Sequence, residues 1–501
     1  MYLKVKMDNK IVQSIKWSGL AEFLSKSMVP LINIVLARVL LPEVFGVVAT
    51  FSMVIALAEV FTDAGFHKYL IQHEFENQRD QELCINVAFW TNLIFSSVVW
   101  FIIFIFRSPI AELVGSKGYG IEISVMSLTI ILSAFSSIQS SIYKRNFKFK
   151  QLLPIRLVIC AVPLFVTVPM ALIFRNCWAI IIGALVKYLI SIALYWVKSD
   201  WKPRFEYSFA KLKEMFSFSS TIMVDSVMVW FTTYADTFIV SRYLTLYYIG
   251  IYKTGVTTIG SYIVILFNIT SPILFSALSR EQNNRENAIY IYYSFQKYCS
   301  LLIIPLGFGI FIYRDFVTMV LLGSQWSESS LILGCIALCM AYCVVTSLYN
   351  SDFFRAMGKP QIALLVQSIF TIILIAGLIP SASQSFEFLS IARAVLGFSY
   401  AIISTFCICI FFNVALLQIL RNLIYPTIAS LIMMAAAWGL QQVYSGVLWT
   451  IISILTCIIV YGIVIMVIPP TRKDILRLKS VNIAVIKAKL KFENRNRGSQ
   501  S

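Results

Sequence analysis

Arg38-Val39-Leu40-Leu41-Pro42-Glu43-Val44-Phe45-Gly46 is a short connector between two long apolar runs, and Arg242-Tyr243-Leu244-Thr245-Leu246-Tyr247-Tyr248-Ile249-Gly250 repeats its spacing. In both, Leu follows Arg by two residues and Gly follows it by eight. Upstream of each lies an apolar helix carrying ionisable groups, from Ser18 in the first case and from Asp225 in the second. A membrane hairpin that recurs with charge on its inner face predicts a transporter built of two halves.

Working outward, the composition places the whole chain in a bilayer. Of 501 residues, 59% are hydrophobic and 13% charged, whereas soluble proteins carry about 25% charged residues. Apolar runs of about 20 residues recur from end to end, so the spans are helices and not the shorter alternating strands of a membrane barrel. The expected fold is therefore an all-α integral membrane protein of about fourteen spans. The net charge of +17 would suggest nucleic acid in a soluble chain, but here its placement argues otherwise. With both termini cytoplasmic, most Lys and Arg fall in cytoplasmic segments, as positive-inside bias requires. Nucleic acid is not an expected partner.

In order, Lys4, Lys6, Lys10 and Lys16 precede a first span from Trp17 to Ala37. Spans two to six follow at Val44–Thr62, Leu83–Phe106, Ile121–Ile142, Pro154–Phe174 and Cys177–Val197, with a mixed-charge loop from Asp63 to Glu82 and the basic loop Tyr143–Lys150 between them. Residues 1–197 form an N-lobe, and 198–214, with five basic residues, a cytoplasmic linker. Spans seven to twelve fill a C-lobe, 215–412, including Met215–Ser241, Ile249–Leu278, Leu331–Tyr349 and Phe388–Phe412. Helices thirteen and fourteen occupy 413–468. The basic tail 469–501 interleaves Lys and Arg with Ile475, Leu478, Val481 and Val485; it either lies on the anionic inner leaflet or is simply solvated.

Ionisable side chains inside spans carry the functional signal, because a charge at the bilayer centre costs about 2.5 kcal/mol or more and survives only against a cavity or a partner. Glu22 and Lys26 share one face of the first helix as an i, i+4 pair. Glu59 lies on the second span with Ser52 and Asp63; Asp225 and Asp236 on the seventh with Thr221 and Thr232; Lys253 on the eighth with Thr257, Ser261 and Asn268. Arg156, Lys187 and Arg393 add cations in spans five, six and twelve. Facing a cavity, Lys26, Arg38, Arg156, Lys187, Lys253 and Arg393 would bind phosphate or pyrophosphate, arginine by a bidentate fork and lysine as a point charge. Arg38 and Arg156, near helix ends, could equally snorkel to headgroups. Glu22, Glu59, Asp225 and Asp236 either bind a coupling proton or sodium ion or balance neighbouring cations. Pro30, Pro163, Pro169, Pro272 and Pro305 are expected to interrupt spans and permit bends.

Other chemistries are disfavoured. No Gly-x-x-x-x-Gly-Lys-[Ser/Thr] loop is present, and no nucleophile, base and acid gather on a soluble loop, so no enzyme and no catalytic residue is expected. Ten Cys are scattered through apolar spans. Cys335, Cys339 and Cys343 share a helix face without His or carboxylate and read as packing filler, not as a metal site. His67 and His73 read as solvated loop residues.

The motifs then resemble a known family, the Wzx-type polysaccharide exporters or lipid-linked oligosaccharide flippases of the multidrug/oligosaccharidyl-lipid/polysaccharide superfamily, with teichuronic and colanic acid exporters among them. Leu36 to Gly46 resembles the family's first-loop motif, and Asp63-Ala64-Gly65-Phe66 with Leu70-Ile71-Gln72 its second-helix ending. Pro109-Ile110-Ala111, Arg145 to Lys150 and Trp178-Ala179 also fit. In the second half Gly250-Ile251-Tyr252, Ser271 to Arg280, Gly323-Ser324-Gln325-Trp326 and Ala356-Met357-Gly358-Lys359-Pro360 are similar to family signatures. The resemblance implies an inverted-V transporter with two six-helix lobes and two further helices, in a bacterial inner membrane. It implies a cationic cavity for the pyrophosphate and glycan of an undecaprenyl-linked repeat unit, turned to the outer leaflet for O-antigen, capsule or exopolysaccharide synthesis. Implied partners are that substrate, membrane lipids, and polysaccharide polymerase with chain-length machinery. No cofactor is implied beyond a proton or sodium gradient. The rival reading is a cation-coupled drug or metabolite antiporter of the same fold.

Overall fold

The computed structural model describes residues 28–470 and 472, apart from 147, 198, 200 and the side chain of 221. Glu22, Lys26, most of the basic tail and the first part of the first span lie outside the described residues. All regular elements within them are helical. They run α1 (Met28–Val39), then α2 (Pro42–Asp63), α3 (Phe66–Gln72), α4 (Gln78–Ile105), α5 (Arg107–Leu113), α6 (Gly120–Met126), α7 (Leu128–Arg145), α8 (Phe149–Phe165), α9 (Thr167–Phe174) and α10 (Cys177–Val197). The second half continues with α11 (Phe209–Tyr243), α12 (Leu246–Arg280), α13 (Arg285–Ile312), α14 (Arg314–Leu321), α15 (Ser330–Cys343), α16 (Tyr349–Ala356), α17 (Pro360–Ala382) and α18 (Phe386–Phe412), followed by α19 (Leu416–Val443) and α20 (Val447–Val467). Among the described residues twelve helices are long and apolar enough to cross a membrane, or thirteen if α11 counts as one bent span.

The chain packs as two compact units. One holds the described residues up to Leu266 with Val317–Ile336 and Gln367–Ser399; the other holds Phe267–Phe316, Ala337–Val366 and the described residues from Tyr400 onward.

In the first unit the repeated connectors touch. Pro42 opens α2, where its fixed φ and missing N–H suit the first turn. One turn on, Gly46 meets the start of α12: a Cβ there would lie 2.0 Å from the Leu246 carbonyl oxygen, and a Cβ on Gly250 would lie 1.8 Å from that of Pro42. Only glycine lets two helices approach backbone to backbone. The two arginines also act alike. Arg38 donates to the Val320 carbonyl at the end of α14, and Arg242 donates to the Leu113 carbonyl at the end of α5, 3.1 Å away. Those carbonyls have no partner within their own helices, and a cation is favourable at a helix C-terminus. Buried Trp326 and Gln325 serve the end of α1 in the same way, donating to Ala37 and Leu40 carbonyls.

Around this contact Val47, Phe51 and Ile55 of α2 pack with Ala111, Ile123, Ile130 and Ile181. A second core joins Phe66, Tyr69, Phe89 and Ile138 to Met215. Part of the segment expected as a linker docks on it: Trp201 packs into that core, and Trp90 donates to the Arg204 carbonyl at 2.8 Å.

The second unit is held by polar bonds between helices. The turn widens into a π segment at Val344–Leu348, which takes carbonyls off the regular ladder. Gln296 of α13 donates to the Val345 carbonyl at 3.2 Å, and Asn422 of α19 donates to Gln296 at 3.2 Å and to the Tyr293 carbonyl at 3.1 Å. Tyr292, Phe353 and Phe412 pack edge to face beside them. Elsewhere Leu417, Leu448, Ile458 and their neighbours on α19 and α20 are exposed, as a lipid-facing surface requires.

The spans expected at 121–142 and 154–174 are found as Gly120–Arg145 and Phe149–Phe174, each interrupted at one residue, Ser127 and Val166. At the latter, Pro169 lacks the N–H that would bond back to the Phe165 carbonyl. Pro272 and Pro305, by contrast, lie inside continuous helices. His67 lies on α3 against Asp63 and not in a loop; His73 does lie in the loop just after α3, but is part-buried, stacked on Tyr69 with centroids 4.4 Å apart.

Candidate functional site

The charges of the second half converge. Asp236 of α11 is 3% exposed, so its carboxylate must be compensated. The Lys253 ammonium, from α12, lies 3.8 Å from Oδ1 and the Arg393 Nε, from α18, 3.6 Å from Oδ2. Tyr252 donates to Oδ2 at 3.2 Å, and Thr237 donates to Oδ1 through its amide at 2.6 Å and its hydroxyl at 3.0 Å. Lys253 also donates to the Thr233 carbonyl at 3.0 Å and lies over the Tyr234 ring at 5.0 Å. Both cations keep about 15% of their side chains accessible, Lys253 15% and Arg393 14%, against 4% for Asp236. Together the three carry a net positive charge whose accessible part is cationic. Such an arrangement favours an incoming anion over a third cation.

The remaining candidates are elsewhere. Arg38 and its counterpart Arg242 donate to carbonyls at helix ends. Glu59 accepts from the Tyr188 hydroxyl at 3.5 Å, and Lys187 lies over the Tyr188 ring at 5.6 Å. Glu59 lines a cavity of about 400 Å³, and Arg156 lines one of about 440 Å³. Asp225, eleven residues before Asp236 on α11, belongs to neither constellation. Among the described residues no three His, Cys, Asp or Glu side chains gather as a metal would need; Cys339 and Cys343 lie 3.8 Å apart, sulfur to sulfur.

The sequence reading passed over the serines of α7. Ser133, Ser136, Ser137, Ser140 and Ser141 follow i, i+3, i+4, i+7, i+8 spacing, the pattern of one helix face, and they line these two cavities. That periodicity was the available signal, hidden because hydroxyls score as near-neutral in a search for charge. A further polar cluster pins α3, α4 and α11 outside the apolar spans. Lys211 lies 2.8 Å from Asp80 and 3.3 Å from Glu214, and Tyr69 donates to Glu214 at 2.9 Å. Burial, helped by that bond, pushes the Tyr69 phenol up.

With this geometry in view, the sequence pattern of the family described as polysaccharide biosynthesis protein matches residues 35–331. The chain belongs to that family. Among relatives, the succinoglycan biosynthesis transport protein ExoT of Rhizobium meliloti (strain 1021) is 23% identical over 328 residues, 66% of each chain. The lipopolysaccharide biosynthesis protein WzxC of Escherichia coli (strain K12) is 20% identical over 368 residues, 72% of this chain and 71% of that one. The matches thus span about two thirds of these relatives' length. Among solved structures, the lipid II flippase MurJ in an inward closed conformation superposes with a TM-score of 0.73 over 90% of this chain and 98% of its own, at 15% identity. An inward-facing multidrug resistance MATE family transporter gives 0.58 over 79% and 95%, at 14% identity. At these identities the structures establish the fold alone: the described residues form a multi-pass, all-α membrane architecture like that of these two proteins.

Proposed function

We propose that the protein is a flippase that turns an undecaprenyl-pyrophosphate-linked oligosaccharide from the cytoplasmic to the outer leaflet of a bacterial inner membrane by alternating access. The observation that carries this reading is the Asp236–Lys253–Arg393 cluster. A membrane-embedded carboxylate that served a cationic drug would stand ready for it, whereas Asp236 already holds two cations. An incoming pyrophosphate can take over Lys253 and Arg393, exchanging one anion for another without leaving a buried charge bare. The relatives' names, which refer to succinoglycan and lipopolysaccharide biosynthesis, support a glycan as cargo.

In this reading residues 1–197 and 215–412 are two lobes joined by 198–214, with 413–468 beside them and both termini in the cytoplasm, as the basic segments favour. The chain moves its substrate without chemistry of its own, and hands it to a polymerase and chain-length machinery. A proton or sodium gradient drives it, with Glu59 as the carboxylate available for coupling, since Asp236 is occupied. Deletion of the gene in a host without a redundant transporter tests the reading. Loss of surface polysaccharide with build-up of the lipid-linked unit inside the cell is expected; normal surface polysaccharide, or export of cationic dyes in its place, refutes it.

A further inference from the structure

In the second unit a cavity of about 190 Å³ is lined by Lys297 of α13, by Gln418, Arg421, Asn422 and Tyr425 of α19, and by Pro470 beyond α20. Past the first turn of α13, Lys297 is that helix's only Asp, Glu, Lys or Arg, and Arg421 is the only one in α19 and α20 together. Three apolar helices thus turn both of these charges toward one space, and both are cations. No carboxylate is among the described residues that line it. Packing holds the two helices together at this level. Pro426 has no N–H for the Asn422 carbonyl, and Ser300 of α13 donates to that carbonyl instead, at 3.0 Å. The Asn422 amide donates in turn to the Tyr293 carbonyl and to Gln296, and its oxygen accepts from Gln418 at 3.4 Å. Lys297 follows Gln296 in the chain and Arg421 precedes Asn422, so the two like charges cannot move apart with their helices without breaking this network.

We propose that this cavity is a phosphate site filled by the headgroup phosphodiester of an anionic membrane phospholipid, apart from the cargo. Arg421 offers a fork of donors and Lys297 a point charge, and Gln418 and Tyr425 add neutral donors. The volume falls below the ~300–1,000 Å³ of sites that enclose a whole ligand; it suits a phosphodiester whose glycerol and chains stay outside. Depth and surroundings favour a lipid over a soluble phosphate. Ala415, which opens α19, donates its amide to the Tyr293 hydroxyl at 2.7 Å. At 1.5 Å per residue Lys297 lies about 6 Å and Arg421 about 9 Å farther along their helices, where headgroups give way to acyl chains. Arg421, itself exposed, shares a stripe of α19 with Leu417, Ile424 and Ile428, all exposed, and acyl chains can lie along that stripe. A zwitterionic headgroup would bring its own cation toward two others. Basic pockets between membrane helices hold anionic headgroups in this way. In the proposed topology α13 and α19 begin in the cytoplasm, so the lipid belongs to the inner leaflet.

The test is native mass spectrometry of the full chain in detergent, titrated with phosphatidylglycerol and with phosphatidylcholine of the same acyl chains. The first phosphatidylglycerol is expected to bind about tenfold tighter than phosphatidylcholine, the weight of one hydrogen bond to a charged group. In K297M/R421M, which keeps the apolar stems, that preference falls below about twofold. Lys297→Met and Arg421→Met alone each lose part of it, which keeps the test decisive should the double variant not fold. Arg280→Gln removes an exposed cation at the end of α12 and leaves the preference unchanged. Equal affinities in the wild-type chain overturn the proposal. So does a preference that survives in all three methionine variants, or one that falls as far in Arg280→Gln, which would reduce it to general surface charge. Inorganic phosphate and glycerol 3-phosphate in about hundredfold excess are expected to leave the lipid bound; displacement by either assigns the cavity to a soluble phosphate and overturns the lipid. Displacement by one equivalent of farnesyl diphosphate gives the cavity to the cargo and overturns it equally.

Discussion

Substituting Gly46 by Ala should drive the starts of α2 and α12 apart. The added Cβ would lie 2.0 Å from the Leu246 carbonyl oxygen, and approaches under 3.0 Å are essentially never observed, so the helices must separate by about 1 Å. Because the obstacle is backbone, no rotamer change relieves it. Overpacking of this kind costs about 1–3 kcal/mol, enough to lower the population of this arrangement by about 5- to 150-fold relative to a state in which the two starts are parted. Gly250→Ala meets Pro42 at 1.8 Å and should act alike. Since either change opens the same contact, the double variant should lose less stability than the sum of the two. Nitroxides at Leu41 and Thr245, both exposed, in a background free of native cysteine, would report the separation by pulsed electron resonance, and thermal unfolding in detergent would report the energies. Unchanged distances and unfolding temperatures in both single variants would refute the reasoning; full additivity in the double variant would show that the glycines do not share a contact.

Asp236→Asn keeps the shape of the side chain but leaves Lys253 and Arg393 without their anion, and should destabilise the protein by about 3 kcal/mol, partly restored by a second change of Lys253→Met; thermal unfolding of the single and double variants checks this. Lys253→Ala and Arg393→Ala should each reduce delivery of polysaccharide to the cell surface at normal membrane abundance, measured by surface labelling against immunoblot. Gln296→Leu removes the donor to the Val345 carbonyl in the π segment and should cost about 1–3 kcal/mol, with increased hydrogen exchange across 344–348 as the readout. Trp326→Phe keeps the buried ring packing but deletes the 2.7 Å bond to Ala37, and should cost about 1 kcal/mol, seen as a small drop in unfolding temperature.

Much of the architecture was legible in the chain itself, because a membrane span is a local property. About 20 apolar residues in a row suffice to demand a helix, and an ionisable residue inside such a run announces itself. Lys253, Asp236 and Arg393 could each be singled out for that reason. The repeat of Arg-x-Leu with Gly eight residues beyond the arginine was equally plain. The kinks were read less well: proline marks where a backbone bond is missing, but whether a helix breaks there, as at Val166, or continues, as through Pro305, depends on the neighbours that take up the freed groups. His67 was misplaced because short α3 has too few residues to show a period.

What the tertiary structure decided was partnership. A helix face can be read from spacing, but its rotation and depth relative to another helix are set by packing over residues far away in the chain. Hence nothing local to α11 or α18 says that Arg393 lies against Asp236, and nothing in either connector says that Gly46 and Gly250 meet each other, so that the repeated glycine is a contact and not merely a turn. The serine face of α7 shows the same limit. Its periodicity is written in the sequence, but that α2, α4, α8 and α10 wall it into cavities is set by packing.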